Sequence, residues 1–132
     1  MPADLSAAPE IALLAAPYVI RPTCRPTVGQ LASQLRVTAS QPELWWGRVR
    51  FSSLRYEKIE LDIPGMWITV LAPGGDAMTC DCDALTVLAG TVAEESALLV
   101  PGRIRVHGEG RPHRLRAAGD GYSVSLHGRV SA

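Results

Sequence analysis

Leu85-Thr86-Val87-Leu88-Ala89-Gly90-Thr91-Val92-Ala93-Glu94 is the stretch on which the fold turns. Two short runs rich in valine, leucine and threonine flank a single glycine. Short β-branched and apolar runs cut by glycine suit paired strands. The same pattern extends in both directions. Met66 to Leu71 is a continuous apolar run, set between Pro64-Gly65 and Pro73-Gly74-Gly75-Asp76. Such proline and glycine clusters form turns. Upstream, Val49-Arg50-Phe51 and Tyr56-Glu57-Lys58-Ile59-Glu60-Leu61 read as strands. Downstream of Pro101-Gly102, residues 103–107 alternate, and Leu115, Tyr122, Val124 and Leu126 complete the series. Seven or eight short strands divided by regular turns predict an all-β sandwich or barrel.

One helix precedes the strands. Thr27-Val28-Gly29-Gln30 has the form of a capping box, with a threonine cap and a glutamine three residues later. Val28, Leu31 and Leu35 then recur at helical spacing. The helix is expected to stop near Ser40, before the Gln41-Pro42 step, because a residue before proline avoids helical backbone. Leu44, Trp45 and Trp46 are expected to pin it to the strands. Residues 1–26 form an Ala/Pro-rich arm, with prolines at 2, 9, 17, 22 and 26. A short helix near 9–16 and an edge strand at Tyr18-Val19-Ile20 are the elements it could hold. The domain itself is expected over 27–132.

The chain has 132 residues, the size of one domain. Thirteen basic residues balance thirteen acidic ones, which argues against nucleic acid as the partner, since phosphate binding needs a basic excess or patch. No segment approaches the roughly 20 apolar residues that span a bilayer. The apolar run Ile11-Ala12-Leu13-Leu14-Ala15-Ala16 is short and preceded by Asp4 and Glu10, unlike a secretory signal. A cytoplasmic protein without a membrane partner is expected. Cys24, Cys80 and Cys82 are odd in number and do not suggest a disulfide framework. Cys80 and Cys82 stand at i and i+2, so on a strand both face one side, but a disulfide between them would be strained. Reduced thiols, a redox pair or metal ligands remain open. Lys58 is the only lysine in an arginine-rich chain.

From about 30 to 130 the chain resembles bacterial members of the cysteine dioxygenase family of cupins. The resemblance lies in an ordered set of segments: Gln41-Pro42-Glu43-Leu44-Trp45, Arg55-Tyr56-Glu57-Lys58, Trp67 to Leu71 with Pro73-Gly74, the stretch from Thr86 to Glu95, Pro112-His113-Arg114-Leu115 and Ser125-Leu126-His127. It implies a small cupin-type β-barrel, or jelly roll, with one N-terminal helix. In that family a His-Asp-His stretch and a later histidine hold one iron, at which dioxygen oxidises a substrate thiol to a sulfinate. Here Cys80-Asp81-Cys82 stands in the first place and His113 in the second. Lys58 replaces the carboxylate-binding arginine, with Tyr56 kept beside it. The family's Ser-x-His-x-Tyr relay becomes Ser125, His127 and Arg129.

These departures change the expected chemistry. Two soft, anionic thiolates favour zinc or copper(I) over iron(II). They are also liable to oxidation beside activated oxygen. The expected cofactor is therefore none, or one metal ion at Cys80, Cys82 and His113, zinc or copper rather than iron. Tyr56, Lys58, Ser125, His127 and Arg129 are the candidate catalytic or orienting residues. Lys58 could grip an anion or, if desolvated, act as a base. The function expected is a small-molecule enzyme doing acid/base chemistry on a substrate that could be anionic, such as cyclisation, isomerisation or dehydration. Two alternatives stand beside it: a metal-dependent oxidoreductase of cysteine dioxygenase type, and a non-catalytic cupin that binds a ligand or partner. The arm could pack on a second copy to give a homodimer. His107 has no role by resemblance and is expected at the surface.

Overall fold

The computed structural model describes residues 26–52, 56–75, 77–107 and 111–130. The expectations for the arm, its helix near 9–16 and its strand at Tyr18-Val19-Ile20, lie outside the described residues. Helix α1 runs Val28–Ala39. Nine strands follow among the described residues: β1 Tyr56–Glu60, β2 Met66–Leu71, β3 Met78–Cys80, β4 Ala84–Ala89, β5 Val92–Glu94, β6 Ala97–Leu99, β7 Ile104–Val106, β8 His113–Ala117 and β9 Ser123–Gly128.

They form two antiparallel sheets. One has five strands in the order β1-β2-β9-β4-β7, the other four in the order β3-β8-β5-β6. The chain is thus mainly β, as the turn-divided runs require. Val49-Arg50-Phe51, expected as a strand, is not one. It follows a 3₁₀ turn at Trp46–Arg48, and Phe51 is exposed, meeting Tyr122 edge to face at 5.2 Å.

Three layers result: helix, five-stranded sheet, four-stranded sheet. Strands β2 and β9 are buried along their whole length because both faces of their sheet are covered. This explains why Met66 to Leu71 shows no polar alternation. Met66, Ile68, Ala84 and Leu126 pack with Leu31 and Leu35 of the helix. Trp67, Leu71, Leu85 and Val87 point the other way and pack with Cys80, Cys82, Val92 and Leu115 between the sheets. Burying a leucine such as Leu35 contributes about 1.5–3 kcal/mol. Gly128 lets the helix come close: a Cβ there would lie 2.6 Å from Leu31 Cδ1.

The capping box forms as the sequence requires, with Gln30 N–H donating to Thr27 Oγ1 at 3.1 Å and Thr27 N–H donating to Gln30 Oε1 at 2.8 Å. Of the three residues expected to pin the helix, only Trp45 does so. It is buried, and its Nε1–H donates to Thr38 O at 3.1 Å. Leu44 and Trp46 are exposed, because two consecutive 3₁₀ turns send their side chains outward. No helix among the described residues is long and apolar enough to cross a membrane.

Candidate metal centre between the sheets

Alternation along β9 decides what enters the interior. Val124, Leu126 and Gly128 face the helix, so Ser123, Ser125 and His127 face the other sheet. His127 lies opposite Trp67 on one neighbouring strand and Leu85 on the other. Its ring stacks on Trp67, with centroids 5.6 Å apart and planes 7° from parallel. Nε2 sits 2.7 Å from Ser125 Oγ. Nδ1 then points across the sandwich at two sulfurs, 3.3 Å from Cys80 Sγ and 3.3 Å from Cys82 Sγ.

One sulfur comes from the opposing sheet and the other from the link between the two sheets. Cys80 ends β3, and Cys82 lies in the turn that leads into β4. Both are buried, whereas Asp81 between them is exposed and ion-paired with Arg129. The two thiols share their ionisation. A hydrogen bond from Cys82 lowers the Cys80 value well below the ordinary 9.0, against the opposing effect of burial and with help from His127. The partner thiol is pushed up from 9.0, first by that same contact with Cys80, then by burial. The contact therefore drives the two thiols' acidities apart, Cys80 downward and Cys82 upward.

A second cluster adjoins the first. His113 is the cross-strand partner of Cys80. Its Nε2 lies 2.9 Å from Cys82 O and 3.7 Å from Cys82 Sγ. A carbonyl only accepts, so Nε2 carries the proton. His107 stacks on His113 with centroids 3.5 Å apart and planes at 21°. It was expected at the surface, but only 8% of its side chain is exposed. Its Nε2 lies 2.9–3.0 Å from the carboxylate oxygens of Glu94, itself buried and paired with Arg105 at 3.3 Å. The opposite ring atom, His107 Nδ1, is buried without a hydrogen-bond partner. Burial lowers the His107 pKa below its ordinary value, with Glu94 opposing.

Among the described residues there are thus two groups of potential metal ligands, each with its donor atoms within 4.8 Å of one another: Cys80, Cys82 and His127, and Cys82, His107 and His113. The residues named from the sequence, Cys80, Cys82 and His113, are divided between them, with Cys82 in both. His127 and Ser125 lie at the sulfurs. Lys58 does not: it stands on β1, the outermost strand of its sheet among the described residues, its Nζ 4.5 Å from the Trp67 ring centroid and 3.8 Å from Glu60. Arg129 approaches the same ring, with Cζ at 5.2 Å. Tyr56, two residues before Lys58, is 44% exposed. These cations form a rim above Trp67, not part of the sulfur cluster. A cavity of about 320 Å³ lined by Arg36, Trp45, Thr86, Pro101 and Ile104 lies beside the helix instead.

His107 and Glu94 are the functional candidates that sequence reasoning missed. The signals were Glu94 two residues after inward Val92, and His107 two residues after Arg105 on the same face.

No family model matches the sequence, and no curated protein sequence matches it. Among solved structures, the chain is similar to TT1209 from Thermus thermophilus, with a TM-score of 0.49 and 22% identity over 64% of this chain and 94% of that one. It is also similar to a chain in the complex of Rhodobacter sphaeroides SigE with the anti-sigma ChrR, with a TM-score of 0.45 and 18% identity over 87% of this chain and 71% of that one. Likeness at this level says nothing about substrate or partner.

Proposed function

We propose that this chain is a cupin-type enzyme of small-molecule metabolism, divergent from the cysteine dioxygenases, that holds one zinc or copper(I) ion at Cys80, Cys82 and His127. The observation that carries the reading is the aim of one imidazole nitrogen at two buried sulfurs. Ligand bonds of about 2.3 Å to sulfur and about 2.0 Å to nitrogen at a tetrahedral angle separate the two donors by about 3.6 Å. The observed 3.3 Å contacts need only a small opening to admit the ion. Ser125 supports the ring from behind by engaging Nε2, which leaves Nδ1 as the donor. Both sulfurs would bind as thiolates, which the downward shift of Cys80 favours and which releases a proton from Cys82.

Three protein ligands leave a tetrahedral ion one open position, and a bound zinc would supply Lewis-acid chemistry there. Lys58 and Arg129 over Trp67 give the margin a positive rim suited to an anionic substrate. Cyclisation, isomerisation or dehydration of such a molecule needs no oxidant. Cysteine dioxygenation is not part of the proposal, because thiolate ligands disfavour iron and invite their own oxidation.

The test is the metal content of protein purified without a metal-affinity tag, read by elemental mass spectrometry. Zinc or copper at near-stoichiometric level, lost from a Cys80→Ala, Cys82→Ala double variant, is the expected result. Stoichiometric iron would restore the dioxygenase alternative. No metal, also after reconstitution, would overturn the reading. If metal is present, Lys58→Ala should weaken binding of small carboxylates and leave metal content unchanged.

A further inference from the structure

We infer that Cys82, His107 and His113 form a second metal position beside the first, with the Cys82 sulfur shared between two ions. The inference rests on the first position proposed above. The observation behind it is a different one, the unpartnered Nδ1 of His107. A buried ring nitrogen without a hydrogen bond carries the uncompensated cost of its lost hydration. No hydrogen bond among the described residues compensates for this at His107. The other nitrogen is committed, because a carboxylate accepts and Nε2 must therefore donate to Glu94. A lone pair is thus fixed on Nδ1.

A carboxylate fixing one imidazole nitrogen so that the other can bind an ion is a recurrent arrangement in metal proteins. Arg105 in turn holds Glu94 from the solvent side, at 3.3 Å. The remaining donors stand close by. Cys82 Sγ is 3.7 Å from His113 Nε2, close to the ~3.6 Å separation of sulfur and nitrogen on one zinc. His113 would have to release the proton it now donates to Cys82 O. The second ion should therefore bind more weakly than the first and release a proton as it does so. An entry path exists: a pocket of about 200 Å³ opens onto this side, lined by Arg105, Val106, His107, Arg111, Pro112 and His113. Its two arginines favour an anion as the exogenous ligand of that ion.

Five donors serve two ions only if a thiolate is shared, and then each ion has three protein ligands. Zinc with three protein ligands keeps a position for water or substrate. The test uses zinc alone on metal-stripped full-length chain. Bound zinc is measured by elemental mass spectrometry after equilibrium dialysis across a range of free zinc. The expected result is two zinc per chain, filled in two steps, with His107→Ala retaining only the tighter one. Glu94→Gln, which keeps the shape and weakens the hold on His107, should shift the second step by about 10–100-fold and leave the first in place. Circular dichroism checks that each variant is folded. If His107→Ala does not fold, Glu94→Gln decides alone, and an unshifted second step overturns the proposal. One zinc in the unaltered chain overturns the second position and leaves the first standing. Two zinc in a folded His107→Ala variant also overturns it. Zero zinc removes both positions.

Discussion

Cys80 and Cys82 have the same side chain and acidities shifted in opposite directions, and this sets how the metal-free chain responds to pH. Cys80 is depressed below 9.0 in the folded protein, so its contribution to stability is present above 9.0 and is lost as pH falls through the folded value. Cys82 is raised, so its contribution is present below 9.0 and is lost as pH rises beyond it. Urea denaturation of metal-stripped protein should therefore show stability climbing as pH approaches 9.0 and falling above it. Cys80→Ser should flatten the climb relative to the parent. Parallel profiles for the two proteins would contradict this assignment. At this scale the sequence was half legible. Cys80 and Cys82 stand out by their spacing, and Ser125 and His127 by theirs. The partnership of His127 with the sulfurs did not show, because it joins residues far apart in sequence that only the folded sheets bring together. The same holds for His107, whose orientation depends on Glu94, a residue brought to it by strand pairing and not by the local chain.

Among the elements, those fixed by their neighbours in sequence were the most readable. The cap at Thr27 and the turns at Pro64-Gly65, Pro73-Gly74 and Pro101-Gly102 depend on four or so consecutive residues, and they form where they were expected. Gly90 has a stricter requirement. Its φ is +77°, and a Cβ would lie 2.5 Å from Tyr122 O. Tyr122 precedes β9, so the turn between β4 and β5 is locked against the start of the strand that carries Ser125 and His127. Gly90→Ala should destabilise the protein by about 1–3 kcal/mol from backbone strain alone, with further loss from the clash. Chemical denaturation measures it, and a change below about 0.5 kcal/mol would show that the turn can move away. Elements set by distant packing were misread. Val49-Arg50-Phe51 has strand composition but pairs with no strand among the described residues, and the roles of Leu44 and Trp46 were decided by 3₁₀ turns that composition does not announce.

The molecule as a whole joins its sheets through the sulfur cluster. Cys80 belongs to the four-stranded sheet, Cys82 to the link between the sheets, and His127 to the centre of the five-stranded one. An ion bound by all three is a cross-link between layers. At a zinc concentration a hundred times the dissociation constant, the folded state gains about 2.7 kcal/mol. For a chain of this size that is a rise in melting temperature on the order of 10 °C. Calorimetry with and without chelator measures it, and coincident melts would mean that no ion links the sheets. A mainly β class with one leading helix could be read from the runs and turns, but which strand sits at the centre could not. That strand is β9, hydrogen-bonded to β2 on one side and β4 on the other. Its place has a consequence for biogenesis. The ribosome releases both neighbours long before the strand that joins them, so the emerging chain carries two unsatisfied sheet edges side by side. Non-local pairing of this kind closes slowly, and such edges are where nascent chains associate wrongly. Until β9 is inserted, the sulfurs lack their imidazole as well, so an ion captured early would meet only thiols.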